Sequence, residues 1–193
     1  RHESGLVDRT RQRLVDLFGV RPELRERRTT VTVEVGKASL AGLLSELCGR
    51  NARSKHVPAM LGQATPEVLR AFVRGVVERD GCDRGTHMVV NTVSERFAVG
   101  LFEMGLLLGV LPSFHRWHAA SKTVIEGRTV NQAPLYYVKF PKVNPVSGEP
   151  HSRWKEGANG FLVPIHRIEH KPYDGPVFNL EVDDLDHSYL APF

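Results

Sequence analysis

Asp80 is the side chain in this sequence best placed to do chemistry. It closes residues 66–80 and is followed directly by Gly81. Leu69, Phe72, Val73, Val76 and Val77 recur at helical spacing, which predicts an amphipathic helix over 66–80. Thr65 is expected to cap its start, Pro66 suits the first turn, and Glu67 complements the positive helix end. A carboxylate in the last turn faces the partial negative charge of the helix C-terminus. Such a group becomes favourable when it ligates a hard divalent cation, so Asp80 is a candidate metal ligand. Gly75 interrupts the apolar stripe, where it costs about 1 kcal/mol against alanine. Its expected return is close approach of another backbone, most simply a second helix.

The elements that position Asp80 follow from the same patterning. Residues 6–18 form an amphipathic helix stopped by Gly19, with Leu6, Leu14, Leu17 and Phe18 toward a core. Residues 20–28 are extended and basic. Val31, Val33 and Val35 alternate with Thr30, Thr32 and Glu34 and predict a strand. A second helix is expected over 39–47, before Gly49, and 51–58 is a basic loop. After Asp80 come a strand at 86–91, a helix from Ser94 to Leu108, and extended segments at 111–118, 122–130 and 135–140. The series "helix, glycine, extended segments" occurs twice, ending alike in Phe18-Gly19-Val20 and Leu108-Gly109-Val110. This is a weak internal duplication. Residues 141–160 are rich in Pro, Gly, Asn and Ser and read as a linker. Beyond them 160–170 and 177–182 are expected as strands around the turn at 173–176.

Composition narrows the class. Hydrophobic residues make up 41% and charged residues 25% of 193, which describes a chain able to bury a core. No apolar run is long enough to span a bilayer, and no signal-peptide pattern opens the chain, so a cytoplasmic location with no membrane partner is expected. Two cysteines, Cys48 and Cys82, lie far apart without metal-ligand spacing. Residues 1–150 hold 22 Lys and Arg against 15 Asp and Glu, while 151–193 hold 4 against 7. A basic body with an acidic tail implies two functional parts, the first suited to a polyanion. The chain opens on Arg1 and stops at Pro192-Phe193 just after a strand-like run, and a fragment of something longer is expected.

The segment Val73-Arg74-Gly75-Val76-Val77-Glu78-Arg79-Asp80-Gly81 resembles the LAGLIDADG dodecapeptide of homing endonucleases. The resemblance implies that two such helices pack through small residues such as Gly75. It also implies that Asp80, with Gly81, holds divalent metal beside a scissile phosphate of double-stranded DNA. Residues 51–58, Asn-Ala-Arg-Ser-Lys-His-Val-Pro, resemble the family's segment between its two dodecapeptides. That likeness places Lys55 near the metal, where a cation stabilises charge developing on phosphate or orients a water. The family reads DNA with antiparallel ribbons in the major groove. By position, His87, Arg116, His118, Lys122 and Arg128 are the candidate contacts of this repeat, and Arg25, Arg27 and Arg28 those of the preceding one. Arg116→Ala is accordingly expected to weaken DNA binding and lower its salt slope.

Residues 175–191, Gly-Pro-Val-Phe-Asn-Leu-Glu-Val-Asp-Asp-Leu-Asp-His-Ser-Tyr-Leu-Ala, resemble the next-to-last motif of inteins. There the histidine, His187 by position, assists cyclisation of the terminal asparagine.

The two resemblances together imply an α+β chain. A LAGLIDADG-type αββαββα repeat, its first copy incomplete, leads into the C-terminal β-strands of a Hint splicing domain. Residues 1–50 would be the remainder of the first endonuclease repeat and 51–143 the loop and second repeat. Residues 144–159 would be the linker and 160–193 the truncated splicing segment. The implied activity is metal-dependent phosphodiester hydrolysis with Mg²⁺, coupled in a full-length precursor to protein splicing between host exteins. A single dodecapeptide acid is visible and the splice junctions are not, so the chain is expected to be inactive alone. Arg74 and Arg79 stand where the family often has small residues. The alternative is therefore a catalytically decayed DNA-binding module, or a LAGLIDADG-type regulator. An ordinary α+β enzyme with a coincidental Asp-Gly turn is the remaining rival; it would show neither metal dependence nor DNA affinity.

Overall fold

The computed structural model describes residues 4–28, 30–142, 154–158 and 160–177. These form a mixed α+β structure of four α-helices and antiparallel β-sheets. Helix α1 (Ser4–Phe18) leads into a two-stranded sheet of β1 (Glu23–Glu26) and β2 (Val31–Glu34), then helix α2 (Ala38–Cys48). Next come a single 3-10 helix (Ala59–Gln63), helix α3 (Pro66–Asp80), β3 (Gly81–Asp83), β4 (His87–Thr92) and helix α4 (Glu95–Leu107). Strands β5 (Ser113–His118), β6 (Ser121–Ile125), β7 (Arg128–Gln132) and β8 (Leu135–Pro141) follow. A last small pair joins β9 (Lys155–Gly157) to β10 (Gly160–Leu162). Among the described residues no helix is long and apolar enough to cross a membrane.

The core lies between helices α3 and α4 and one face of the sheet β3-β4-β8-β5. Helix α3 buries Leu69, Val73 and Val77, one residue per turn on a single stripe. Helix α4 buries Phe97, Ala98, Leu101, Met104 and Gly105. The sheet supplies Val90, Tyr136, Val138 and Phe140. Leu101, Val90 and Val138 expose no surface. Each such side chain contributes about 1.5–3 kcal/mol by leaving water.

Two glycines close their helices alike. Gly19 and Gly109 both adopt positive φ, 60° and 70°, a conformation that costs a side chain-bearing residue about 1–2 kcal/mol. After Gly109, the Val110 N–H reaches the Gly105 carbonyl at 2.9 Å and the Gly109 N–H reaches Leu106 at 2.9 Å. These two bonds satisfy carbonyls that the helix end would leave unpaired.

Several local expectations need correction. Thr65 occupies the N-cap of α3 but makes no side-chain bond to the helix backbone. The Glu67 carboxyl is held below its usual range chiefly by a backbone hydrogen bond and next by the Thr65 hydroxyl. The run 122–130 is two strands, not one, because Glu126 and Gly127 turn the chain at φ 49° and 75°. Two consecutive positive φ values match the twist of a two-residue hairpin. The strand expected over 160–170 is confined to Gly160–Leu162, and its partner Lys155–Gly157 lies inside the expected linker. Strand β3, three residues long, has no counterpart in the sequence reading.

Strands β5 and β8 and the hairpin β6-β7 together make one long antiparallel ribbon. The ladder is interrupted where Ala133-Pro134 precedes β8, since proline donates no ladder hydrogen bond.

Candidate functional site

Asp80 is the last residue of α3, and the chain turns at once into β3. That turn demands glycine at 81. A Cβ there would lie 2.7 Å from Val77 Cα and 2.7 Å from the Val89 carbonyl oxygen. The Gly81 N–H closes the helix on the Val77 carbonyl. Asp80 is thereby fixed at the seam between helix and sheet.

Lys55 comes to the same place from 25 residues away, and its ammonium donates to Asp80 Oδ2. Side-chain exposures are 35% for Lys55 and 48% for Asp80, so the pair is open to solvent and to a ligand. The Lys55 Nζ also lies 4.9 Å from the centre of the Phe97 ring. Its attraction to the ring face adds to that of the carboxylate.

The loop that carries Lys55 is built tightly. Asn51 Oδ1 accepts from the N–H groups of Arg53 and Ser54, each at 3.0 Å. Ser54 Oγ accepts from the N–H groups of Arg50 and Asn51, each at 3.1 Å. The His56 N–H reaches back to the Cys48 carbonyl at 3.0 Å. Gly49, at φ 88°, leaves the space that Ser54 fills, for a Cβ there would meet the Ser54 oxygen at 2.1 Å.

Ser94 ties this loop to α4. It is 2% exposed. Its hydroxyl donates to the Lys55 carbonyl at 2.5 Å and accepts from the Phe97 N–H at 3.2 Å as the N-cap of α4. Both hydrogen-bonding roles of one buried hydroxyl are therefore used. Sequence reading placed Ser94 at the helix start but missed its hold on Lys55.

Gly75 is approached by nothing: an added Cβ would meet no atom within 4 Å. One turn on, the Arg79 guanidinium donates to the Thr10 hydroxyl of α1. Among the described residues no three His, Cys, Asp or Glu side chains gather as a metal site. At this seam the Asp80 carboxylate is met by the Lys55 ammonium.

The expected DNA contacts scatter. Arg25 pairs with Glu34 at 2.9 Å across β1 and β2, and Arg27 and Arg28 lie exposed beyond β1. His87 starts β4, its Nδ1 2.9 Å from Thr86 Oγ1. Arg116 aligns with Tyr136, on the helix side of the sheet. Burial pushes the Tyr136 phenol up, and its hydrogen bond to Glu95 adds to this. His118 braces the ribbon, with Nε2 3.3 Å from the Gln132 amide. Lys122 and Arg128 are exposed on the hairpin. His187 lies outside the described residues.

Sequence reading missed the outward face of the same sheet. His115 stacks on Tyr137 with ring centres 4.8 Å apart, and Trp117 lies 6.0 Å from Tyr137. Lys139 and Asn91 share this face by strand alternation. The available signal was the alternation His115-x-Trp117 and Tyr137-x-Lys139, which is not a charge pattern.

At the sheet edge Lys142 Nζ sits 2.7 and 2.6 Å from the two Asp83 carboxylate oxygens. That bond first, and the Gly85 N–H second, hold the Asp83 carboxyl below its usual range.

No family model matches the chain. Over 197 aligned positions it is 29% identical to the ATP-dependent DNA helicase Hel308 of Thermococcus kodakarensis, covering 90% of the chain and 16% of that protein. The similarity is to one segment of the helicase, so the activity of the whole relative does not transfer with it.

Proposed function

We propose that the chain is the DNA-cleaving part of an intein: a LAGLIDADG-type homing endonuclease that hydrolyses phosphodiesters of double-stranded DNA. The observation that carries this reading is the meeting of Lys55 with Asp80 at the end of α3. A cation and a carboxylate held at one seam, half-open to solvent, suit charge stabilisation at a phosphate. The order α3, β3, β4, α4, β5, β8 and the projecting β6-β7 ribbon support it. The aligned helicase segment adds support for DNA as the partner, and no more than DNA is taken from it.

Asp80 and the backbone carbonyl of Gly81 are hard oxygen donors, and they fit Mg²⁺ when phosphate oxygens and a second carboxylate complete its shell. The ion, when bound, lowers the pKa of an attacking water and neutralises the leaving oxygen. In this chain Asp80 would be the carboxylate that holds the ion. Lys55 balances negative charge on the phosphate, and Ser94 keeps the Lys55 backbone in place. Residues 160–193 would belong to the splicing domain, with His187 assisting asparagine cyclisation between host exteins, in a cytoplasmic precursor.

A second reading is a decayed module that binds DNA without cutting it. The Arg79–Thr10 contact favours it, because it places α1 against the end of the stripe that would receive a partner helix. The two readings separate when a full-length precursor carrying this chain is incubated with a randomised duplex library in Mg²⁺ and, in parallel, in EDTA. Sequence-specific ends that need Mg²⁺ and disappear in Asp80→Asn support the endonuclease. Enrichment of bound duplexes without ends supports the decayed module. Neither ends nor binding removes both.

A further inference from the structure

We propose that the outward face of the sheet β3-β4-β8-β5 binds unpaired nucleotides by stacking them on the platform His115–Tyr137–Trp117. This rests on the nucleic-acid reading of the chain but asks for a different substrate form.

Trp117 is 67% exposed, far more than an aromatic ring of its size ordinarily leaves in water. It stands at a break in register, where Arg116 pairs with Tyr136 and His118 with Leu135. A bulge of this kind re-aims a side chain. Tyr137 holds the centre, with His115 on one side at 4.8 Å and Trp117 on the other at 6.0 Å. The His115 and Trp117 rings are themselves 6.4 Å apart. The three form a continuous shelf on the side of the sheet away from α3 and α4.

Charge selects the occupant. Lys139, Asn91 and His87 share this face, and among the described residues no Asp or Glu occupies an outward position of the four strands. Next to the shelf, at the paired residues Ser113 and Lys139, is a groove of about 880 Å³ lined also by Trp154, Ile165 and His166. An aromatic shelf with one lysine, Lys139, and no carboxylate at the outward positions of the described strands suits an anionic chain that carries flat rings. Duplex DNA presents base edges to a sheet in its groove, not base faces. Base faces are offered by unpaired nucleotides, and stacking on exposed rings is the mode by which single strands are held without regard to sequence.

The test uses the whole 193-residue chain with Trp154→Phe, so that Trp117 is the sole tryptophan emitter. Oligo-dT, oligo-rU and a hairpin duplex of equal length are titrated against its fluorescence. If Trp154→Phe fails to fold, the difference between the parent chain and Trp117→Phe supplies the same signal. Quenching by the single strands is expected; anisotropy of end-labelled oligonucleotides, which needs no tryptophan, should show binding weakened roughly five- to hundred-fold in Trp117→Ala and largely kept in Trp117→Phe. The two single strands separate DNA from RNA preference. Duplex binding without quenching by either single strand overturns the proposal and leaves the DNA reading standing. Binding of none of the three overturns both.

Discussion

Replacing Asp80 by Asn should leave the fold almost untouched while removing any hydrolytic activity. The structure supplies the first half of the expectation, and the proposed role of Asp80 the second. The Lys55–Asp80 pair is half-exposed, and open ion pairs contribute about 0.2–1 kcal/mol. Against this, a carboxylate in the last turn of α3 opposes the helix dipole by about 0.3–1 kcal/mol, and Asn relieves that. The two effects have opposite sign, so the net change lies within about 1 kcal/mol of zero. For a chain of this size that shifts Tm by at most about 4 °C. For comparison, Leu101→Ala in the core should cost about 2–5 kcal/mol. Loss of the carboxylate from a metal-assisted centre removes several kcal/mol of transition-state stabilisation, on the order of a thousandfold in rate. Thermal unfolding followed by circular dichroism reads the first quantity, and single-turnover nicking of a selected duplex reads the second. A Tm loss equivalent to more than about 2 kcal/mol would refute the reasoning, because Asp80 would then be a structural residue.

Three further expectations follow from the same geometry. Ser94→Ala removes a helix cap and leaves the part-buried Lys55 carbonyl without its donor, so it should cost about 2 kcal/mol in urea unfolding; a cost below about 0.5 kcal/mol contradicts the role given to Ser94. Gly81→Ala and Gly75→Ala should differ in sign. The first forces a Cβ against backbone and destabilises by about 1–3 kcal/mol, whereas the second enters open space and stabilises α3 by about 0.5–1 kcal/mol; equal effects would count against the close turn at Gly81. Asp83 is held below its usual range by Lys142, so its contribution is present above the ordinary aspartate range and lost as pH falls through the lowered value. Lys142→Ala should move the Asp83 titration, followed by carboxyl NMR, up toward the ordinary aspartate range; an unchanged titration contradicts that assignment.

The helices were legible because their signals are local. Residues 66–80 carry an apolar stripe, a proline in the first turn and a glycine just past the end, and α3 has those bounds. Ser94 announced α4 in the same way. The hairpin β6-β7 was not legible, because Glu126-Gly127 lacks the Asn-Gly or Asp-Gly signature of such turns. Strand β3 is too short for a period to show, and pairing with β4 alone defines it. Among the site residues, Asp80 stood out by its electrostatically poor position and Lys55 only by resemblance to a family. Ser94 and the shelf His115–Tyr137–Trp117 are products of tertiary pairing. Tyr137 reaches His115 because β5 and β8 lie antiparallel, and no spacing along the chain encodes that register. The same pairing sets Arg116 on the helix side, opposite the shelf, although its position in the family resemblance had singled it out.

The most direct test of the central claim is Mg²⁺-dependent cleavage of a selected duplex by a precursor carrying this chain, with Asp80 and with Asp80→Asn. The account predicts defined ends for the parent, none for the substitution, and equal salt-sensitive binding by both. Ends that persist in Asp80→Asn would contradict it, as would a precursor with no affinity for duplex DNA at low salt.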